Sequence, residues 1–165
     1  EEIVTQADTE RILNILKEDY QYIIVDTSTH FSEAVLTALE MSNTILMVSA
    51  LDVVTVKNTK LALHVLQTLD MHGKTDVVLN RTDETMGMKS QDLEDALGYK
   101  IRCTIPANGR IAVPAINKGI PFIITHPKTN IGEAIFRLSN SLIQGIEKPS
   151  KKKHKRIANL FGLFS

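Results

Sequence analysis

No glycine-rich phosphate loop occurs anywhere in the chain. A G-x-x-x-x-G-K-S/T loop would supply the backbone N–H groups and the lysine that hold phosphates, but the eight glycines are scattered singly. Cysteine is almost absent. The single Cys103 excludes a disulfide framework, and its place in the apolar run 101–105 predicts a buried structural thiol, in keeping with a reducing compartment. No apolar run approaches the eighteen or so residues of a membrane-crossing helix, and no signal peptide heads the sequence. The first residue is Glu1, and residues 3–20 read as the approach to an interior strand, so the chain is expected to be a fragment whose missing part lies upstream.

A chain of 165 residues with 43% hydrophobic content suits one well-buried core. Its net charge of zero hides an asymmetry. All 19 acidic residues lie in 1–147 with 13 Lys and Arg, whereas 148–165 holds six Lys and Arg and no acid, so the body carries about −6 and the tail about +6.

Helical and strand patterns alternate. Helices are predicted over residues 9–18, 32–41, 55–69, 91–97, 110–117 and 131–146, the last opened by a capping-box-like Asn130 with Glu133. Strands are predicted over 22–26, 44–49, 76–79 and 100–105, with a brief extended piece over 121–124. Such alternation predicts a doubly wound α/β fold with a mainly parallel sheet covered on both faces.

The run Tyr22-Ile23-Ile24-Val25-Asp26 ends an apolar strand pattern on one carboxylate. An aspartate there sits where open α/β sheets bind ligands, typically a nucleotide with a metal ion. Asp26 could contact magnesium through water beside the hydroxyls of Thr27, Ser28 and Thr29, or it could simply cap the following helix. A phosphoacceptor receiver domain also has such an aspartate, and Ser49-Ala50 mimics one of its features. It would need an upstream acidic pair and a Lys-Pro after the next strand, where this chain has Asn80-Arg81-Thr82. His30 falls in the loop after Asp26, and the other histidines show no paired ligand spacing, so no zinc site is expected.

Four motifs in order carry a resemblance: Tyr22-Ile23-Ile24-Val25-Asp26; Leu51-Asp52-Val53 with Val56-Lys57-Asn58; Leu79-Asn80-Arg81; and Ile105-Pro106 through Val113-Pro114 to Asn117-Lys118-Gly119-Ile120-Pro121. Over residues 10–146 the sequence resembles the carboxyl-terminal part of the MinD/ParA group of deviant-Walker ATPases, and within it the CpaE/TadZ branch associated with type IV (Flp/Tad) pilus assembly. The resemblance implies a SIMIBI P-loop NTPase-like fold without its P-loop half, ATP and Mg2+ as cofactors of the complete protein, and a homodimer formed on ATP binding. Asp26 would be the switch II carboxylate near magnesium. Asn80 and Arg81 would lie against the adenine base, closed on its other side by Pro106, Ala107 and Asn108. An Asn amide can pair with the donor and acceptor edge of adenine and an Arg plane can stack on it; a solvated strand-to-loop corner is the bland reading of the same pair. The chain departs from the family at switch II, where Thr27-Ser28-Thr29-His30-Phe31 replaces a Pro- and Gly-containing turn. Hydrolysis is therefore expected to be slow or lost even in the complete protein.

The tail has its own pattern. Lys151, Lys152, Lys153, Lys155 and Arg156 precede Ile157, Leu160, Phe161 and Phe164, which fall on one stripe of a helix. This is the pattern of an interfacial membrane helix and is similar to the membrane-targeting sequence of MinD proteins. Packing on the protein's own core is one alternative. Nucleic-acid binding is not expected, because it would use the lysines and leave the Leu and Phe without purpose.

The expected organisation is an ATPase-domain portion over 1–147, a basic linker over 148–155 and an amphipathic membrane-targeting helix over 156–165. The expected function is to couple nucleotide-dependent dimerisation to peripheral association with an anionic cytoplasmic membrane surface, positioning a pilus or similar assembly through pilus-assembly or polarity proteins. This chain, lacking Walker A, is expected to be inactive alone. The alternative is a non-catalytic localisation module that keeps the fold and the tail.

Overall fold

The computed structural model describes residues 4–83 and 90–144. The predicted tail, linker and membrane stripe from Lys151 to Phe164 lie outside the described residues. Helices α1 (Gln6–Asp19) and α2 (Glu33–Met41) lead to β1 (Ile45–Ser49), α3 (Val53–Thr68), a short 3-10 turn (His72–Lys74) and β2 (Thr75–Thr82). Then follow α4 (Ser90–Leu97), β3 (Ile101–Pro106), α5 (Gly109–Lys118), α6 (Phe122–Thr125) and α7 (Asn130–Gln144). The three strands form a parallel sheet in the order β1-β2-β3. The doubly wound α/β expectation holds.

β2 explains why. Successive strand residues point to opposite faces, so a strand covered on both sides must be apolar throughout. Val77 and Leu79 pack with Leu63 of α3 and with Leu93 and Leu97 of α4. Val78, between them, packs on the other face with Ile105, Ile131 and Ala134, the last two from α7. All three β2 side chains are essentially inaccessible, and burial of each contributes about 1.5–3 kcal/mol. A third cluster of Ile45, Leu66 and Met71 takes in Leu39 of α2.

The two sheet edges differ. The outer edge of β3 is irregular, pairing Val77 with Ile101 and Val78 with Cys103 so that Arg102 is skipped. A Glu94 carboxylate oxygen accepts the Ile101 N–H at 2.7 Å, and Arg102 is tied to Asp76 and to Ser141. β1, in contrast, pairs with β2 in unbroken register, and its other edge has no partner strand among the described residues.

The predicted strand over 22–26 does not form. The segment carries no strand assignment, and Ile24 is 95% exposed. The strand-forming composition is there, but a strand exists only through a neighbour's backbone, and no described strand lies alongside it. Residues 121–124 are a second correction: they were expected to be extended, and Phe122–Thr125 is a helical turn entered at Pro121, whose fixed φ suits a helix start. At α7 the capping side chain belongs to Thr129, whose Oγ1 accepts the Gly132 N–H at 3.3 Å, while Asn130 Oδ1 accepts from Ile131 N. Cys103 is half-buried rather than buried, its thiol directed at the Ala134 carbonyl at 3.6 Å.

α2 is held to the body mainly through one cation. Lys74 Nζ donates to the carbonyls of Leu39 and Glu40, each at 2.8 Å, and of Ser42 at 3.1 Å. These lie at the end of α2, where carbonyls lack intrahelical partners and the helix dipole favours a positive charge. Lys74→Met is expected to lower unfolding free energy by about 2 kcal/mol, as for loss of hydrogen bonds to a charged group, measured by urea titration; an unchanged midpoint would refute the tether. Amide hydrogen exchange should find 22–26 nearly unprotected and β2 slowest of all, and protection of 22–26 would show that the segment is paired after all.

Candidate functional site

Ligands of open parallel sheets bind outside the carboxyl ends of the strands. At that end β1 is anchored by a buried hydrogen bond from Thr59 Oγ1 of α3 to Ser49 Oγ, 2.9 Å long. The chain then turns through Asp52, which caps α3 by accepting the Thr55 N–H at 2.8 Å. β2 ends on Asn80 and Arg81. Asn80 Oδ1 accepts the Arg81 N–H at 2.9 Å, which leaves the Asn80 amide N–H groups as the polar function available to a ligand. Arg81 has φ +54°, a left-handed conformation uncommon for a non-glycine residue and costing about 1–3 kcal/mol.

The ends of β2 and β3 are joined. The Ala107 N–H donates to the Thr82 carbonyl at 2.9 Å, and Thr82 Oγ1 donates to the Ile105 carbonyl at 3.3 Å. Asn108 then opens α5 without a side-chain capping bond of its own. The structure thus brings Asn80 and Arg81 into one corner with Pro106, Ala107 and Asn108. Asp52 belongs near this corner too: its carboxyl is held below the usual aspartate range by hydrogen bonds from the Thr55 side chain and backbone, with a further contribution from the positive charge of Arg81. The sequence reading gave Asp52 no role, although an Asp at the start of a helical pattern is a recognisable capping signal.

Asp26 is not part of that corner. It lines a separate, mostly apolar cleft of about 310 Å³ with Ile12 and Leu16 of α1, Ile24, and Ala38 of α2. The helix-capping reading of Asp26 fails, since the side chain that caps α2 is that of Ser32. A larger groove of about 470 Å³ beside β3 is lined by Glu94, Arg102 and Ser141. Its polar groups already serve the sheet edge, which makes it a poor ligand site.

No known protein-family profile and no curated protein sequence matches the chain. Solved structures do. The MinD cell division protein of Aquifex aeolicus is similar over 91% of this chain and 65% of its own, with TM-score 0.77 and 21% identity. A ParA family ATPase from Chlorobium tepidum TLS is similar over 82% and 57%, with TM-score 0.76 and 19% identity. The fold is that of MinD and ParA. A third such structure, the septum site-determining protein MinD complexed with Mg-ADP from Pyrococcus horikoshii OT3, is similar over 83% and 56%, with TM-score 0.69 and 16% identity. The chain spans less than two thirds of the length of each of these MinD/ParA-fold proteins.

The lowered acidity of Asp52 has a definite sign. A carboxylate whose folded-state pKa is depressed contributes stability that is full above its unfolded value of about 3.9 and is lost as pH falls through the folded value. Asp52→Asn keeps a good capping residue but removes the titration. Its melting temperature should fall less steeply than that of the parent below about pH 4, as followed by circular dichroism; parallel acid profiles would show that the cap charge contributes nothing.

Proposed function

We propose that this chain is part of a MinD/CpaE-like ATP-binding and hydrolysing protein that couples nucleotide-dependent dimerisation to membrane association and positions a cell-surface assembly such as a Flp/Tad pilus. The observation that supports it best is the hydrogen-bonded corner between the ends of β2 and β3, with Asn80, Arg81 and Asn108 on a MinD/ParA fold. Asn80 offers amide N–H donors to the acceptor nitrogens of adenine, Arg81 a planar cation for its face, and 106–108 the opposite wall. Bound ATP with magnesium would supply the cleavable phosphoanhydride.

The residues fit the base better than the phosphates. Asp26 is a carboxylate suited to a magnesium-bound water, but no glycine-rich loop accompanies it. The unpaired 22–26 segment and the free edge of β1 support the idea that another part of the protein supplies the strand between them, and with it the phosphate-holding groups. The loop Thr27-Ser28-Thr29-His30-Phe31, without a Pro or Gly turn, favours a second reading in which the fold serves localisation without hydrolysis.

The proposed tail helix matches membrane association. Each basic residue near an anionic leaflet contributes about 1 kcal/mol, so one tail binds reversibly and two tails held in a dimer bind far more firmly.

Equilibrium dialysis against adenosine and ATP tests the base site. Adenosine should bind weakly, ATP no more than a few-fold better, and Asn80→Ala or Arg81→Ala should each weaken both by about tenfold, the loss of one good hydrogen bond or stacking contact. Unaltered binding by both variants would place the base elsewhere. ATP binding far tighter than adenosine would mean that the chain holds phosphates on its own. For the tail, co-sedimentation with anionic vesicles should be lost in Phe161→Glu, and retention would detach membrane binding from that stripe.

A further inference from the structure

α5 and α6 bury one side and leave the other apolar. Ile111 and Phe122 pack into the core against Val78 and Ile105. On the outside, Val113 is 55% exposed, Ile116 77%, Ile120 46% and Ile124 69%. Gly119 fixes this arrangement. At φ +63° it closes α5, with the Ile120 N–H returning to the Ala115 carbonyl at 3.1 Å, a left-handed turn that favours glycine. Scattered exposed aliphatics are ordinary, but four within twelve residues on one surface are not.

The surrounding charge is of one sign. Between Asp95 and Glu133 there is no acidic residue, while Lys100, Arg102, Arg110, Lys118 and Lys128 are all basic. Arg102 is consumed by Asp76 and Ser141 at the far end of β3. Arg110, Lys118 and Lys128, all exposed, lie on the segments that carry the four aliphatics. Neither of the two clefts described above involves this surface. Protruding aliphatics rimmed by cations suit an anionic bilayer interface, in which side chains insert individually, better than a partner helix, which needs a groove.

We propose that the outer face of α5 and α6 is a second contact with anionic membrane, separate from the carboxyl-terminal stripe. It shares the membrane of the function proposed above but does not rest on the tail. Val113, Ile116, Ile120 and Ile124 enter the headgroup boundary while Arg110, Lys118 and Lys128 meet lipid phosphates. The end of the sheet that carries Asn80 and Asn108 is thereby held close to the bilayer.

The chain contains no tryptophan, so Ile116→Trp is a single fluorescent reporter at a site exposed enough to accept it. With phosphatidylcholine vesicles containing phosphatidylglycerol, its emission should shift to the blue and be quenched by bromine-labelled acyl chains. Ile12→Trp on α1 should do neither. Ile124→Asp in the Ile116→Trp background should raise the lipid concentration needed by about tenfold, and adding Phe161→Glu should leave a residual shift at higher lipid. An unshifted Ile116→Trp in a chain that still co-sediments overturns this proposal and leaves the tail reading standing. A residual shift combined with full co-sedimentation of Phe161→Glu overturns the tail reading instead. An equal shift with pure phosphatidylcholine, or a shift with polyglutamate or duplex DNA in place of vesicles, assigns the face to another partner and overturns the proposal.

Discussion

Everything described in this chain hangs on β2, because it is the one strand with a strand on each side and a helical layer on each face. The side chains of Val77 and Leu79 close one core and that of Val78 closes the other. β1 and β3 are ordered by pairing with it, and α3, α4 and α7 by covering it. A polar residue in the middle of this strand would face a dry core whichever way it pointed, and moving the register by one would exchange the two faces. Only at Asn80 does the strand turn polar, and there it leaves the sheet and enters the candidate site. The end of the apolar run and the beginning of the chemistry are the same event.

The sheet edges show what the described residues do and do not complete. Exposed edges invite pairing with other chains, and proteins blunt them with bulges, charges or covering elements. β3 has all three: the skipped Arg102, the Glu94 carboxylate on the Ile101 N–H, and α7 packed across it. β1 has none, being the regular, uncharged run Ile45-Leu46-Met47-Val48-Ser49 with Val48 57% exposed. An edge without protection is an edge that expects a neighbour, and the extended, apolar and unpaired 22–26 segment is short of a neighbour in the same way.

Much of the fold was legible in the sequence because its signals are local. The helices were readable from apolar spacing, from glycine stops such as Gly98 and from caps such as Ser32 and Thr129, even where the start was misplaced by one residue. β2 was readable as an apolar run bounded by polar residues. The 22–26 segment was misread because pairing is a non-local property: the residues have strand propensity, but hydrogen bonds come from another part of a sheet. Residues 121–124 were misread because proline is as much at home at a helix entrance as in extended chain. In the site, residue types and order were legible, whereas the left-handed Arg81 and the proximity of Asp52 were not, since both follow from how strand ends meet in space.

That difference between local and non-local determination also divides the candidate site. The base-holding corner is built from the ends of two strands that are already paired, and its hydrogen bonds from Ala107 to Thr82 and from Thr82 to Ile105 are an extension of the β2–β3 ladder. It needs nothing else to keep its shape. Asp26 is held differently, at the end of a segment that no described strand supports, and its distance from the corner is set by elements packed only on one another or tied through Lys74. On the proposed reading, base recognition is therefore intrinsic to this part of the protein, while placement of the metal-binding carboxylate is conditional on whatever fills the space beside β1. A nucleotide bridging the two would draw Asp26 toward the corner and order the 22–26 segment together with its new neighbour. Binding, sheet completion and readiness for chemistry would then be a single cooperative step, as expected when one ligand contacts both an ordered and an unsupported element.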